Sequence, residues 1–324
     1  MKICVLSRVA PEAIERLAQA GDVRVWTEPG PIPRDRLVAW IADADAVMTM
    51  LTDRVDRDLL KHAGRLKIAA NMAVGYDNLD VEAATEAGVM VTNTPDVLTE
   101  ATAELAWALM LAVMRNVVGA REAMLRGEWT HWSPDGFLGT ELHGKTLGIV
   151  GFGRIGRAVA RRAEAFGMRV IALGRQAPYQ PPYVDRATFL READVVSLHV
   201  PLSPATRGMV DRAWLAAMRP GSYLINTARG GIVDETALLE ALDGHLGGAG
   251  LDVFAVEPVG GDHPLVRHPK VVATPHIGSA TRETRRAMAL RAADNILAAL
   301  AGRRPPDLLN PVVWERRAAR RHDA

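Results

Sequence analysis

The stretch Lys145-Thr146-Leu147-Gly148-Ile149-Val150-Gly151-Phe152-Gly153-Arg154-Ile155-Gly156 decides the fold. An apolar run from Thr146 to Val150 reads as a buried strand. It passes straight into a glycine turn and then into an amphipathic helix carrying Ile155, Val159, Ala163 and Phe166 on one face. A GxGxxG alone is a weak signal. Between a strand and a helix it becomes a dinucleotide fingerprint. Gly151 permits the tight turn, Gly153 lets a pyrophosphate approach the backbone, and Gly156 lets helix and strand pack closely. The helix start offers unpaired N–H groups and a positive dipole end to phosphate.

Working outward, the same alternation of apolar run and helical stretch continues to the C-terminal side. Strands are expected at Arg169–Leu173, Val195–Val200, Ser222–Asn226, Ala249–Val253 and Val271–Thr274. With Thr146–Val150 they make a doubly wound parallel sheet. On the N-terminal side a second series runs through Lys2–Leu6, Val23–Trp26, Ala46–Met50, Leu66–Ala70 and Val89–Thr92. Thr99 to about Arg126 reads as one long helix, Gly127 to Gly144 as an aromatic arm, and Ala280–Leu300 as another long helix. The fold class is therefore α/β, with two Rossmann-like or flavodoxin-like domains. Residues 1–98 plus 281–324 form a discontinuous substrate domain, and residues 99–280 an inserted dinucleotide-binding domain. A cleft between two such domains is where ligands tend to sit. The tail from Pro305 is Pro-rich and then basic, and its basic part (Arg316, Arg317, Arg320, Arg321) reads as a solvated end.

Composition narrows the class. Of 324 residues, 48% are hydrophobic and 24% charged, as in ordinary globular proteins. Lys and Arg number 39 against 38 Asp and Glu, a net charge of +1 that argues against a nucleic-acid partner. The apolar run Leu105–Met114 is too short for a bilayer, which needs about 20 residues. The single cysteine, Cys4, excludes an intrachain disulfide framework or a multi-thiolate metal site and fits a reducing, cytoplasmic setting.

An NAD site usually carries an acidic side chain at the end of the strand after the fingerprint, to bind the ribose 2′-OH. Here that position reads Leu173-Gly174-Arg175-Gln176, with no carboxylate. Gly174 removes a repulsion and Arg175 offers a fork for a 2′-phosphate. NADP(H) is expected to be preferred, with NAD(H) a possible substitute.

Three polar residues follow late strands of the second series: Arg229, Glu257 and His276. Taken singly, each is more often a surface, turn or structural residue. Together behind a dinucleotide fingerprint they match what reduction of a 2-keto acid requires. Arg229 can hold a carboxylate by paired hydrogen bonds. His276 is the natural proton donor near neutral pH. Glu257 would favour the imidazolium and fix its tautomer.

Several segments then carry a resemblance over nearly the whole chain: Asn71-Met72-Ala73-Val74-Gly75-Tyr76-Asp77-Asn78-Leu79-Asp80, Thr92 to Thr99, the glycine turn, Val200 to Gly208, and Pro275-His276-Ile277-Gly278-Ser279-Ala280. The chain resembles the D-isomer-specific 2-hydroxyacid dehydrogenases, and most closely their glyoxylate/hydroxypyruvate reductase branch. The resemblance implies that Arg229 binds the substrate, His276 is the acid/base and Glu257 tunes it. It implies that the N–H groups of Val74 and Gly75 take the substrate carboxylate. Arg154, Ile155, Pro201, Thr206, Thr227, Ala228, Asp252 and Gly278 would contact the cofactor. Trp132 in the aromatic arm would enter the partner's substrate site in a homodimer. Domain closure, with hinges near residues 98 and 281, is implied as well. A 2-ketogluconate reductase, a D-3-phosphoglycerate dehydrogenase and a non-enzymatic cofactor-sensing co-repressor remain as alternatives. The preferred acid and the direction of the reaction stay open.

Overall fold

The computed structural model describes residues 1–174 and 181–322. Arg175 and Gln176 lie outside the described residues. The elements begin with β1 (Lys2–Val5), α1 (Pro11–Ala18), β2 (Asp22–Val25), α2 (Arg34–Ile41), β3 (Ala46–Thr49), α3 (Arg57–Lys61), β4 (Ile68–Asn71), α4 (Val81–Glu86) and β5 (Met90–Thr92). Next come α5 (Thr99–Met114), α6 (Val117–Leu125), β6 (Thr146–Val150), α7 (Arg154–Ala165), β7 (Arg169–Leu173), α8 (Arg186–Glu192) and β8 (Val195–Leu198). The chain ends with α9 (Arg212–Ala217), β9 (Tyr223–Asn226), α10 (Glu235–Asp243), β10 (Gly248–Leu251), α11 (Pro264–Arg267), β11 (Val271–Ala273), α12 (Arg282–Leu300) and α13 (Pro311–His322).

These elements form two compact units, Met1–Leu98 with Ala280–Ala324, and Thr99–Ser279. The first holds a parallel sheet in the order β2-β1-β3-β4-β5. Strands β3, β4 and β5 are buried at every position, as strands covered on both faces by helices must be. The second unit holds a parallel six-stranded sheet in the order β11-β10-β9-β8-β6-β7. Strand β6 has β7 on one side and β8 on the other, so the winding reverses there. In open α/β sheets the crevice beyond the carboxyl ends of the strands at such a reversal is the ligand site.

Helix starts in this chain are largely set by short polar side chains. Asp56, Asp80, Asp185, Asp211, Asp234 and Thr281 each accept a hydrogen bond from the N–H three residues on. Such caps contribute about 1 kcal/mol each. Helix α7 is different: its N-cap is Gly153, which has no side chain to offer. Trp107 Nε1 donates to Val159 O at 3.0 Å, which pins α5 to α7 within the second unit.

One sequence expectation is corrected. The segment Thr99 to Arg126 is not one helix but two, α5 and α6, bent by 61°. Asn116 sits between them with φ 51°, a left-handed conformation that Asn tolerates better than most residues. Ahead of the basic residues, the tail docks on β5. Leu309 N donates to Val91 O at 2.8 Å, and Asn310 accepts from Val91 N and donates to Val89 O. These bonds satisfy the edge of β5, and α13 follows with Val313 buried. Among the described residues no single helix is long and apolar enough to cross a membrane.

Candidate active site

The glycine turn follows β6, at the reversal of the sheet. Gly151 has φ +89°, and a Cβ there would lie 2.6 Å from His199 O, at the end of neighbouring β8. A Cβ on Gly156 would lie 2.3 Å from Gly151 O. Packing therefore demands glycine at both positions. It makes no such demand at Gly153, where a Cβ would meet nothing within 4 Å and φ is an ordinary −79°. Open space over an uncapped helix start is what a dinucleotide pyrophosphate requires, so the residues present fit the cofactor. Arg154 and Ile155 occupy the first turn of α7. Gly174, with φ +145°, is close enough for a Cβ to come within 3.9 Å of Gly151 N. Thr206 Oγ1 donates to Pro201 O and accepts from Ser203 N, which folds the loop after β8.

The loops after β9, β10 and β11 carry the polar set. Asn226, at the end of β9, accepts from Ala228 N and donates to Arg229 O, both at 3.0 Å. This side-chain turn fixes the direction in which the chain leaves the sheet. Arg229 is half-buried, with Nη1 donating to Ala228 O at 2.8 Å. Thr227 Oγ1 between them is buried with no hydrogen-bond partner among the described residues. A Cβ on Gly230 would lie 1.8 Å from the Phe254 carbonyl carbon. The Arg229 turn is thus pressed directly against the segment that leads to Glu257.

Glu257 bridges two partners. One oxygen accepts from Phe254 N at 2.8 Å and the other meets His276 Nδ1 at 2.7 Å. Burial pushes the Glu257 carboxyl up, but the hydrogen bonds from His276 and Phe254 and the charges of His276 and Arg229 outweigh it. Its pKa lies below the ordinary glutamate value, so it is a carboxylate at neutral pH. A carboxylate only accepts, so Nδ1 of His276 carries a proton and Nε2 is left for other work. The two side chains are 22% and 29% exposed, enough to meet a ligand.

His276 has φ 53°, in the left-handed region. Asp252 at the end of β10 holds it there. Its carboxylate accepts from Thr274 Oγ1 at 2.7 Å, Ile277 N at 2.7 Å and Gly278 N at 2.8 Å, and its carbonyl accepts from His276 N at 2.9 Å. Burial raises the Asp252 carboxyl despite these donors. The carboxylate that the resemblance reads as a cofactor contact also shapes the histidine turn.

In the other unit, Val74 and Gly75 lie half-buried in the loop after β4. Among the described residues neither N–H donates a hydrogen bond within the chain. Trp132 is 78% exposed, and with Trp129 and Phe137 it lines a shallow hollow of about 210 Å³ in the aromatic arm. Sequence reasoning assigned nothing to Asn226, whose position at a strand end before Arg229 was the available signal.

Comparison with known proteins shows the family. The family described as D-isomer specific 2-hydroxyacid dehydrogenase, NAD binding domain, matches residues 107–278. A glyoxylate reductase of Aeropyrum pernix is 48% identical over 320 residues, covering 95% of this chain and 96% of its own. The crystal structure of a protein from Thermus thermophilus superposes with a TM-score of 0.92 at 47% identity, covering 95% of this chain and 100% of the other. An NADPH-dependent glyoxylate/hydroxypyruvate reductase of Sinorhizobium meliloti, solved with NADP and malonate, gives a TM-score of 0.82 at 33% identity, covering 95% and 96%. The chain therefore belongs to the D-isomer specific 2-hydroxyacid dehydrogenases, and is an NAD(P)-dependent oxidoreductase with a nicotinamide dinucleotide as cofactor.

Proposed function

We propose that the protein reduces glyoxylate and hydroxypyruvate to glycolate and D-glycerate, with NADPH preferred over NADH. The observation that carries the reading is the 2.7 Å pair between His276 Nδ1 and the Glu257 carboxylate, with the segment leading to Glu257 pressed against the turn of Arg229. A dihydronicotinamide held there would supply the hydride for the carbonyl carbon. His276 Nε2 gives its proton to the carbonyl oxygen as the hydride arrives, which avoids a free alkoxide. Arg229 binds the substrate carboxylate and draws the carbonyl oxygen into place. Glu257 stabilises the imidazolium before transfer and keeps the ring in one tautomer. The N–H groups of Val74 and Gly75 take a carboxylate oxygen.

For the cofactor, the first turn of α7 takes the pyrophosphate. Gly151, Gly153, Gly156, Pro201, Thr206, Thr227, Ala228 and Gly278 lie along its path. Asp252 acts through the turn it holds. The absence of a carboxylate at Gly174 supports NADPH, as does the NADPH dependence of the Sinorhizobium relative. We place Trp132 at the contact of a homodimer, where the exposed Trp129 and Leu138 would also be covered.

The test is a spectrophotometric panel offering NADPH or NADH with glyoxylate, hydroxypyruvate, pyruvate, 2-ketogluconate and phosphohydroxypyruvate. Glyoxylate and hydroxypyruvate with NADPH should give the highest kcat/KM. No oxidation of either cofactor with any acid overturns the activity. A tenfold preference for NADH overturns the cofactor assignment alone. Sedimentation velocity checks the dimer.

A further inference from the structure

The loop after β4 has an order that its exposed surface does not explain. Asn71, the last residue of β4, is fully buried, and Asn93, just past β5, nearly so. Asn71 Nδ2 donates to Gly75 O at 3.0 Å. Asn93 Nδ2 donates to Val74 O at 2.8 Å. Thr94 N donates to Ala73 O at 2.9 Å. Three successive carbonyls are thus tied down by three separate donors. Asn71 and Asn78 also exchange a reciprocal pair of side-chain hydrogen bonds, at 3.1 and 3.2 Å. Thr49 Oγ1 donates to Asn71 Oδ1, and Asn78 Nδ2 donates to the carbonyls of Met50 and Asp53. The network therefore joins the ends of β3, β4 and β5.

A trans peptide unit is planar, with its C=O and N–H pointing opposite ways. Fixing the carbonyl of Ala73 aims the N–H of Val74 away from that anchor. Fixing Val74 O does the same for Gly75 N–H, and fixing Gly75 O for Tyr76 N–H. Among the described residues none of these three N–H groups donates within the chain. Consecutive unpaired amides of this kind form a concave anion receptor.

We propose that Asn71 and Asn93 are positioning residues that preform a three-amide receptor, Val74, Gly75 and Tyr76, for the carboxylate of a 2-oxo acid. The inference deepens the proposed function and rests on it for the identity of the acid. Neither asparagine touches the substrate. Each acts by fixing a carbonyl, so losing its side-chain donor frees one peptide plane to rotate and spoils the aim of the amide behind it.

The test uses the full-length enzyme with saturating NADPH, and the variants Asn93→Ala and Asn71→Ser. Two compounds differing in the carboxylate are compared as substrates: glyoxylate, which has one, and methylglyoxal, which has none. Oxamate is titrated calorimetrically as a non-reacting probe. Misplacing a positioned group by about 1 Å costs up to about 100-fold. We expect kcat/KM for glyoxylate to fall by that factor through KM and oxamate to weaken at least about tenfold. Methylglyoxal turnover and the dissociation constant for NADPH should stay near the wild-type values. Equal losses for glyoxylate and methylglyoxal would mean a merely structural role and overturn the proposal, as would unchanged oxamate binding. If Asn71→Ser does not fold, Asn93→Ala decides. If the wild type reduces no 2-oxo acid, the proposed function fails, while the oxamate titration still tests the receptor.

Discussion

Asp53 offers a measurable consequence of the first unit's polar loops. It is 3% exposed, and its side chain accepts one hydrogen bond, from Met50 N at 2.7 Å. Burial pushes its carboxyl from 3.8 up to about 6, against the small downward pull of that bond. One pKa unit corresponds to about 1.4 kcal/mol, so the shift amounts to about 3 kcal/mol. The sign follows from linkage. The folded state holds the proton more tightly than the unfolded chain, so this stabilisation is fully present below pH 3.8 and is lost as pH rises through about 6. Above that, the folded state carries a buried charge. Asp53→Asn removes the charge and keeps an oxygen to accept from Met50 N. The variant should be more stable than the wild type at pH 8 by up to about 3 kcal/mol, and at pH 5 by about half as much. Urea unfolding of both proteins at pH 5, 6, 7 and 8, followed by tryptophan fluorescence and circular dichroism, measures the difference. A stability difference that stays flat across this range, or a variant that is weaker at pH 8, would refute the reasoning.

Four substitutions test other parts. Gly153→Ala should leave the melting temperature within a degree or two, because its Cβ meets no protein atom, yet weaken NADPH at least about tenfold by filling phosphate space; calorimetry reads both. Gly230→Ala puts a methyl 1.8 Å from the Phe254 carbonyl carbon, and should cut kcat by displacing the segment that carries Glu257 while NADPH still binds in a fluorescence titration. Glu257→Gln exchanges a charge-assisted hydrogen bond for a neutral one, a loss of about 1–1.5 kcal/mol and so about 5- to 12-fold in kcat, visible in steady-state kinetics with little change in NADPH affinity. Asn310→Ala leaves Val91 N and Val89 O without partners and should destabilise by about 2–3 kcal/mol, as a lowered urea midpoint will show.

How much of this was legible in the sequence depends on range. Buried parallel strands read as unbroken apolar runs, so the strands of both sheets were visible, with ends trimmed by a residue or two. The glycine turn was visible because its spacing is local. The break at Asn116 was not, since helical periodicity continues through Val117 and only a single left-handed residue interrupts it. The docking of the tail was invisible for another reason: Asn310 reaches partners more than two hundred residues away. Asn71 and Asn78 stood inside a segment that was recognised, but nothing local says that a buried amide is fixing a carbonyl.

The residues that sequence reasoning singled out do not position themselves. Arg229, Glu257 and His276 each leave the sheet on a loop, and each loop is fixed by a further group. Asn226 sets the Arg229 turn, Phe254 N holds Glu257, and Asp252 shapes the turn of His276. The last is the most demanding. A non-glycine residue at φ 53° carries a cost of about 1 kcal/mol or more, and it persists because Asp252 supplies three side-chain bonds and one main-chain bond around it. Relaxing that turn would move the imidazole away from Glu257, and with it the tautomer that leaves Nε2 free. The proposed proton transfer therefore depends on the carboxylate beneath the turn as well as on the one beside the ring. Preorganisation here is a property of main-chain hydrogen bonds at strand ends, which is why a parallel sheet with a winding reversal can carry it.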